Sequence, residues 1–207
     1  MEIDANRIFR WLLGFIMVIY SVILIPQIRK LRLSELRYEK STNDDFLYLL
    51  LIFIFQIITL ILFFLFPEAI KWADLDLGYV LRSLGFALSL LSLIFFLILK
   101  MELNCSFSPV IKVENDQELI TSGIYSYVRH PIYSLYFMFY AGIFFLTSNY
   151  LIGISWLLLY LLFIIRRIKN EEEMLISHFG KRYIEYRERT GKFIPKLFKN
   201  KQKRKNI

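Results

Sequence analysis

Two short stretches of this 207-residue chain gather the side chains that can do chemistry. The first runs from Asp116 through Arg129-His130-Pro131 to Tyr133. The second runs from Arg166 through Glu171-Glu172-Glu173 and Phe179 to Tyr183 and Tyr186. Pro131 suits the first position of a helix, where its missing N–H is not needed. That places His130 near the cap, where free N–H groups and the helix dipole favour an anion. The same triplet also reads as an ordinary membrane-helix start with an interfacial Arg and Tyr. Arg167 and Glu171 stand four apart, on one helix face. As a surface pair they would contribute only about 0.3–0.5 kcal/mol, in the less favourable order. Arg167 follows an apolar run directly and can snorkel. Three glutamates within an otherwise basic segment fit a held cation, or else a solvated acidic turn. Phe179, Tyr183 and Tyr186 share a face and are expected to pack the tail helix back onto the site or the membrane surface.

Several chemistries are excluded. One cysteine, Cys105, rules out an internal disulfide and a multi-cysteine zinc site. With His130 and His178 the only histidines, there is no His-Glu-x-x-His pair. Neither a Gly-x-Gly-x-x-Gly turn nor a Walker sequence is present, so a Rossmann cofactor domain does not fit.

The elements that must position these residues are membrane helices. Hydrophobic residues make up 57% of the chain, above the roughly 45–50% of soluble domains, and mean hydropathy is +0.48. A spanning helix needs about 20 apolar residues. Ile8–Ile25 (closed by Pro26), Phe46–Phe66 and Tyr79–Leu99 each qualify, with Arg10 and Arg82 near two of the starts. Ile132–Ile165 carries no charge, but as one helix it would be about 51 Å long, too long for a single crossing. Thr147-Ser148-Asn149 are turn formers in its middle. The expectation is a hairpin of two short helices, Ile132–Leu146 and Tyr150–Ile165. The fold class is therefore all-α: a polytopic membrane protein of about five transmembrane helices, the last two a hairpin, with a cytoplasmic C-terminal helical segment. A hairpin returns its ends to one place, so the two chemical stretches are expected to form one site.

Lysine and arginine set the topology. Gln27–Asp45 carries five, Pro67–Gly78 one, and the segment after Ile165 fourteen. This places the N-terminus outside and the C-terminus in the cytoplasm. The basic end, Lys196–Lys205, marks the inner face and contacts anionic membrane lipids rather than nucleic acid. The first span is a poor cleavable signal peptide, and no lipidation motif is present. The chain reads as a single domain, with membrane helices in 1–100, a catalytic region in 101–195 and a basic tail in 196–207.

Taken together, these residues resemble the isoprenylcysteine carboxyl methyltransferase family, integral-membrane enzymes that use S-adenosylmethionine. The matching stretches are Gly123-Ile-Tyr-Ser-Tyr-Val-Arg-His-Pro-Ile-Tyr133 and the hairpin with Asn149 at its turn. They continue with Arg167 four residues before Glu171-Glu172-Glu173, then Phe179-Gly180-Lys-Arg-Tyr183-Ile-Glu-Tyr186 and Thr190-Gly191-Lys-Phe-Ile-Pro195. The likeness covers about Gln117 to Pro195. The first three helices match only in hydropathy and number. The resemblance implies cofactor contacts at Gln117, Glu118, Leu119, Ile120, Tyr125, His130, Pro131, Ile132, Tyr133 and Glu171. It implies that Arg167 meets the substrate and serves catalysis. Family members can carry a Gln where this chain has Val110, so that contact is missing here. No metal is expected.

S-Adenosylmethionine suits these side chains. Glu171 can pair with its amino group, and His130 with the helix N–H groups can take its carboxylate. Tyr125 and Tyr133 can cover its rings or sulfonium. A carboxylate nucleophile is already ionised at neutral pH and needs no base, and Arg167 can orient it in a bidentate manner. The expected acceptor is an isoprenylcysteine-like, lipid-tailed carboxylate, small or carried on a prenylated protein. The alternative is a phospholipid or other amine acceptor, for which Glu172 would serve as base and Arg167 would matter less. A third reading, a non-catalytic protein keeping the fold, is disfavoured by the intact His130, Arg167 and Glu171.

Overall fold

A computed structural model describes residues 5–35, 43–103 and 119–196. Gln117, Glu118, Cys105, Val110 and nearly all of the basic tail lie outside the described residues. Helices are α1 (Ala5–Glu35), α2 (Asn43–Leu65), the short α3 (Pro67–Ile70), α4 (Tyr79–Leu103), α5 (Pro131–Thr147), α6 (Tyr150–Phe179) and α7 (Lys181–Arg189). The architecture is all-α and polytopic. Among the described residues, four helices are long and apolar enough to cross a membrane, through Asn6–Ile23, Leu47–Leu65, Tyr79–Met101 and Tyr150–Phe179. The first hairpin arm, α5, has 17 residues, about 25 Å of helix and short of the roughly 30 Å hydrocarbon core.

Two boundaries differ from the sequence reading. The first helix does not close at Pro26 but continues to Glu35. A proline removes one N–H bond and need not end a membrane helix, and the residues that follow are mostly good helix formers. The second hairpin arm is not limited to Tyr150–Ile165. It is the first half of a 30-residue helix that carries Arg167 and the glutamates, because no Gly or Pro follows Ile165 until Gly180, where φ is +53°.

The chain divides into two compact units: Met1–Val110 with Leu135–Arg166, and Ile111–Ser134 with Arg167–Ile207. In the first, α4 and α5 approach closely at small residues. A Cβ built on Gly85 would lie 2.5 Å from the Leu146 nitrogen and 2.7 Å from the Gly142 oxygen. Small residues spaced four apart, here Gly85 and Ser89, permit such backbone contact in a membrane. Arg82 is buried rather than interfacial: its Nε donates to the Leu146 carbonyl at 3.2 Å, and its guanidinium lies 4.1 Å from the Phe9 ring centre. The hairpin turn is pinned at Asn149, whose side-chain amide donates to Asp74 at 2.7 Å and to the Ile70 carbonyl at 3.2 Å. Buried polar groups in this unit find one another, with Gln56 donating to the Tyr140 hydroxyl at 3.2 Å and Trp156 to Thr59 at 2.9 Å.

The second unit holds a 3-10 turn at Gly123–Ser126, the start of α5, the end of α6, α7 and the segment after it. Val128 pairs in a parallel bridge with Gly191. The Arg129 amide donates to the Gly191 carbonyl at 2.8 Å, and the His130 amide to that of Lys192 at 3.0 Å. Through these bonds the closing segment fixes the backbone that leads into α5.

Candidate functional site

The second unit brings both chemical stretches together. Pro131 opens α5, which leaves His130 at the cap, and α6 carries Arg167 and Glu171 one turn apart. Tyr133, one turn into α5, connects them. Arg167 Nε donates to the Tyr133 hydroxyl at 3.0 Å, and that hydroxyl donates to Glu171 Oε2 at 2.9 Å. A guanidinium and a carboxylate on one helix face are thus joined through a phenol rather than paired directly.

The next glutamate belongs to a second group. Glu172 Oε1 accepts from Arg129 Nη2 at 3.0 Å and Arg129 Nε at 3.3 Å. It also lies 3.3 Å from His130 Nε2, and Lys192 Nζ is 3.8 Å from Glu172 Oε2. The ion pair is half-buried, with side-chain exposures of 7% for Arg129 and 14% for Glu172. Arg129 Nη1 reaches the carbonyls of Arg187, at 2.9 Å, and Thr190, tying down the end of α7. Glu173 is exposed. The acidic run is therefore three residues with three different surroundings, because successive helix positions point about 100° apart.

His130 is 5% exposed. Burial lowers its pKa from the usual value, and Arg129 adds to this. The charges of Glu171 and Glu172 oppose the shift without overturning it. Its Nδ1 lies 3.8 Å from Glu171 Oε2. Its backbone N–H is taken by Lys192 and Pro131 has no N–H, so the cap donors expected for an anion are fewer than the sequence implied.

Tyr125 is half-buried in the turn, and its carbonyl accepts from the Tyr186 hydroxyl at 2.7 Å. Burial, and then the charge of Glu171, raise the pKa of the Tyr125 phenol. Burial pushes Tyr186 up to about 12. Tyr183 is buried at 1% exposure and Tyr186 is half-buried, so these two rings of α7 pack inward, whereas Phe179 ends α6 across the turn at Gly180 and does not share their helix face as expected from the spacing. Pro131 is buried, Ile132 and Leu119 are half-buried, and Ile120 is exposed. Sequence reasoning gave no role to Arg129 or Lys192. Arg129 stands beside His130-Pro131 and opposite an acidic run, which was the available signal. Lys192 could not be placed without the backbone bridge to residue 128.

Among the described residues the chain is all-α, with several helices apolar enough to cross a membrane. More particularly, residues 84–177 match the model of the isoprenylcysteine carboxyl methyltransferase (ICMT) family. Over 92 residues the chain is 38% identical to the protein-S-isoprenylcysteine O-methyltransferase of Schizosaccharomyces pombe, covering 44% of this chain and 39% of that protein. It is 34% identical over 92 residues to the Homo sapiens protein of the same name, covering 44% and 32%. The matched part thus spans well under half the length of these relatives. Among solved structures, a eukaryotic intramembrane Ras methyltransferase ICMT superposes with a TM-score of 0.60 at 20% identity, covering 94% of this chain and 69% of that one. The fold is shared over nearly the whole chain. The family-model match includes Arg129, His130, Tyr133, Arg167, Glu171 and Glu172.

Proposed function

We propose that the chain is an S-adenosylmethionine-dependent membrane methyltransferase that O-methylates the carboxylate of a lipid-tailed, isoprenylcysteine-like acceptor. The carrying observation is the Arg167–Tyr133–Glu171 relay, with links of 3.0 and 2.9 Å. It sets a carboxylate-binding group one phenol away from a cation-binding group. An acceptor carboxylate and a cationic donor are the two partners this arrangement suits.

The residues present fit the cofactor. Glu171 keeps acceptor capacity beyond its bond from Tyr133, and Tyr125 lies in its field. When bound, S-adenosylmethionine supplies the electrophilic methyl group. Glu171 holds cationic character, Tyr133 keeps Glu171 and Arg167 in register, and Arg167 orients the acceptor carboxylate. Transfer to a carboxylate needs alignment and exclusion of water, with no proton to remove. The amine alternative needs a free base. Glu172 is poorly placed for that, since Arg129, His130 and Lys192 already surround its carboxylate. Gln117 and Glu118 complete the proposed cofactor contacts by resemblance, with Leu119, Ile120, Pro131 and Ile132.

The whole chain acts in this reading as one domain, N-terminus outside and C-terminus cytoplasmic, with membrane lipids around it and no nucleic-acid partner. The test is transfer of labelled methyl groups by purified protein in detergent. A farnesylated cysteine analogue is expected to take label in preference to phosphatidylethanolamine. Preferential labelling of the lipid amine would overturn the carboxylate reading.

A further inference from the structure

Glu172 is held by Arg129 through two hydrogen bonds, at 3.0 and 3.3 Å, inside a half-buried ion pair. So held, it is an ionised carboxylate that can only accept. His130 Nε2 lies 3.3 Å from the same oxygen, Oε1, and must therefore carry the hydrogen. Which ring nitrogen is protonated follows from the bond the other one makes. In a neutral ring this leaves Nδ1 with a lone pair. Nδ1 makes no hydrogen bond among the described residues, and the atom facing it is Glu171 Oε2, another acceptor, 3.8 Å away. Two acceptors facing each other ask for a donor between them, and a positively charged one satisfies both.

We propose that Arg129 and Glu172 are positioning residues that hold His130 as an Nδ1 acceptor, so that His130 and Glu171 together bind a protonated amine. The inference rests on the methyltransferase reading and deepens it. The amine is the α-amino group of the cofactor, and His130 serves it instead of the cofactor's carboxylate. The groups around the imidazole agree. Burial disfavours its charged form, Arg129 adds to that, and Glu171 and Glu172 act the other way. Tyr133 lies alongside with ring centres 5.6 Å apart, and Phe193 at 6.5 Å. Lys192 is within 3.8 Å of Glu172 and shares in neutralising it. Removing Arg129 leaves the imidazole beside less compensated carboxylates and raises its pKa. His130 then gains a proton near neutrality and loses the acceptor.

The probe is S-adenosylhomocysteine, with its deaminated and decarboxylated analogues, and the readout is affinity by calorimetry on the full-length protein in detergent. In wild type, affinity for S-adenosylhomocysteine is expected to stay within about twofold between pH 6 and pH 8. In Arg129→Ala it is expected to be about tenfold weaker at the lower pH and to recover at the higher. A merely structural role for Arg129 gives a loss that does not recover, and that result overturns its assignment. His130→Ala carries the test independently if Arg129→Ala does not fold. It is expected to lose about tenfold for S-adenosylhomocysteine and nothing for the deaminated analogue. An equal loss for the deaminated analogue, or a loss that disappears with the decarboxylated one, assigns His130 to the carboxylate and overturns the proposal. Wild type that binds none of the three overturns the methyltransferase reading itself.

Discussion

At the scale of single residues, the glutamate run shows how neighbours acquire separate tasks. Glu171 is bonded by Tyr133, Glu172 by Arg129, and Glu173 faces outward. Glu171→Ala should therefore weaken S-adenosylhomocysteine binding by about tenfold or more, the worth of one charge-assisted bond; calorimetry checks this. Among the described residues the buried Tyr183 hydroxyl has no hydrogen-bond partner. Leaving such a donor unsatisfied costs about 1–3 kcal/mol, so Tyr183→Phe should raise the melting temperature. His130 gives a pH dependence whose sign is fixed. Its folded pKa is lowered, so below about 6.5, the usual histidine value, the unfolded chain binds a proton that the folded chain does not. Stability should fall as pH drops through that value and level off below the folded pKa. Melting curves in detergent should show this slope in wild type and a smaller one in His130→Gln.

At the scale of elements, α4 and α5 depend on a contact that tolerates no side chain. A Cβ on Gly142 would meet the Ser89 hydroxyl, and would lie 2.8 Å from the Gly85 carbonyl oxygen. The Ser89 backbone nitrogen is also 2.8 Å away, and it and the Gly85 oxygen are fixed by the helix. Gly142→Val should force α4 and α5 apart and lower stability by about 2–3 kcal/mol or more, read as a drop in melting temperature and yield. Much of this level was legible in the sequence. Apolar runs gave α2 and α4 to within four residues at each end, and Thr147-Ser148-Asn149 gave the turn between α5 and α6. The ends were not legible, because hydropathy marks where a helix leaves an apolar setting and not where its hydrogen bonds stop. That is why α6 continues past Ile165 to Phe179 and α1 past Pro26 to Glu35. In the site, the shared place of Tyr133, Arg167 and Glu171 followed from the hairpin. The Arg129–Glu172 pair did not, since ion pairing across 43 residues leaves no local period to read.

At the scale of the whole molecule, the superposition on a solved structure covers 94% of the chain, while the family model matches residues 84–177. The basic residues after Ile165 and in the first connection predict a cytoplasmic C-terminus. A C-terminal reporter active only inside the cell should report there, and an external signal would refute the orientation. The account stands most directly on Arg167, which is joined to Tyr133 yet assigned to the acceptor and not to the cofactor. Methyl-labelled S-adenosylmethionine and a farnesylated cysteine analogue, offered to wild type and to Arg167→Ala, test that assignment. The account predicts base-labile label on the analogue with wild type. It predicts a loss of about a hundredfold or more in the variant, with S-adenosylhomocysteine affinity kept within about twofold. Undiminished ester formation by Arg167→Ala, or a collapse of its cofactor affinity, would contradict it.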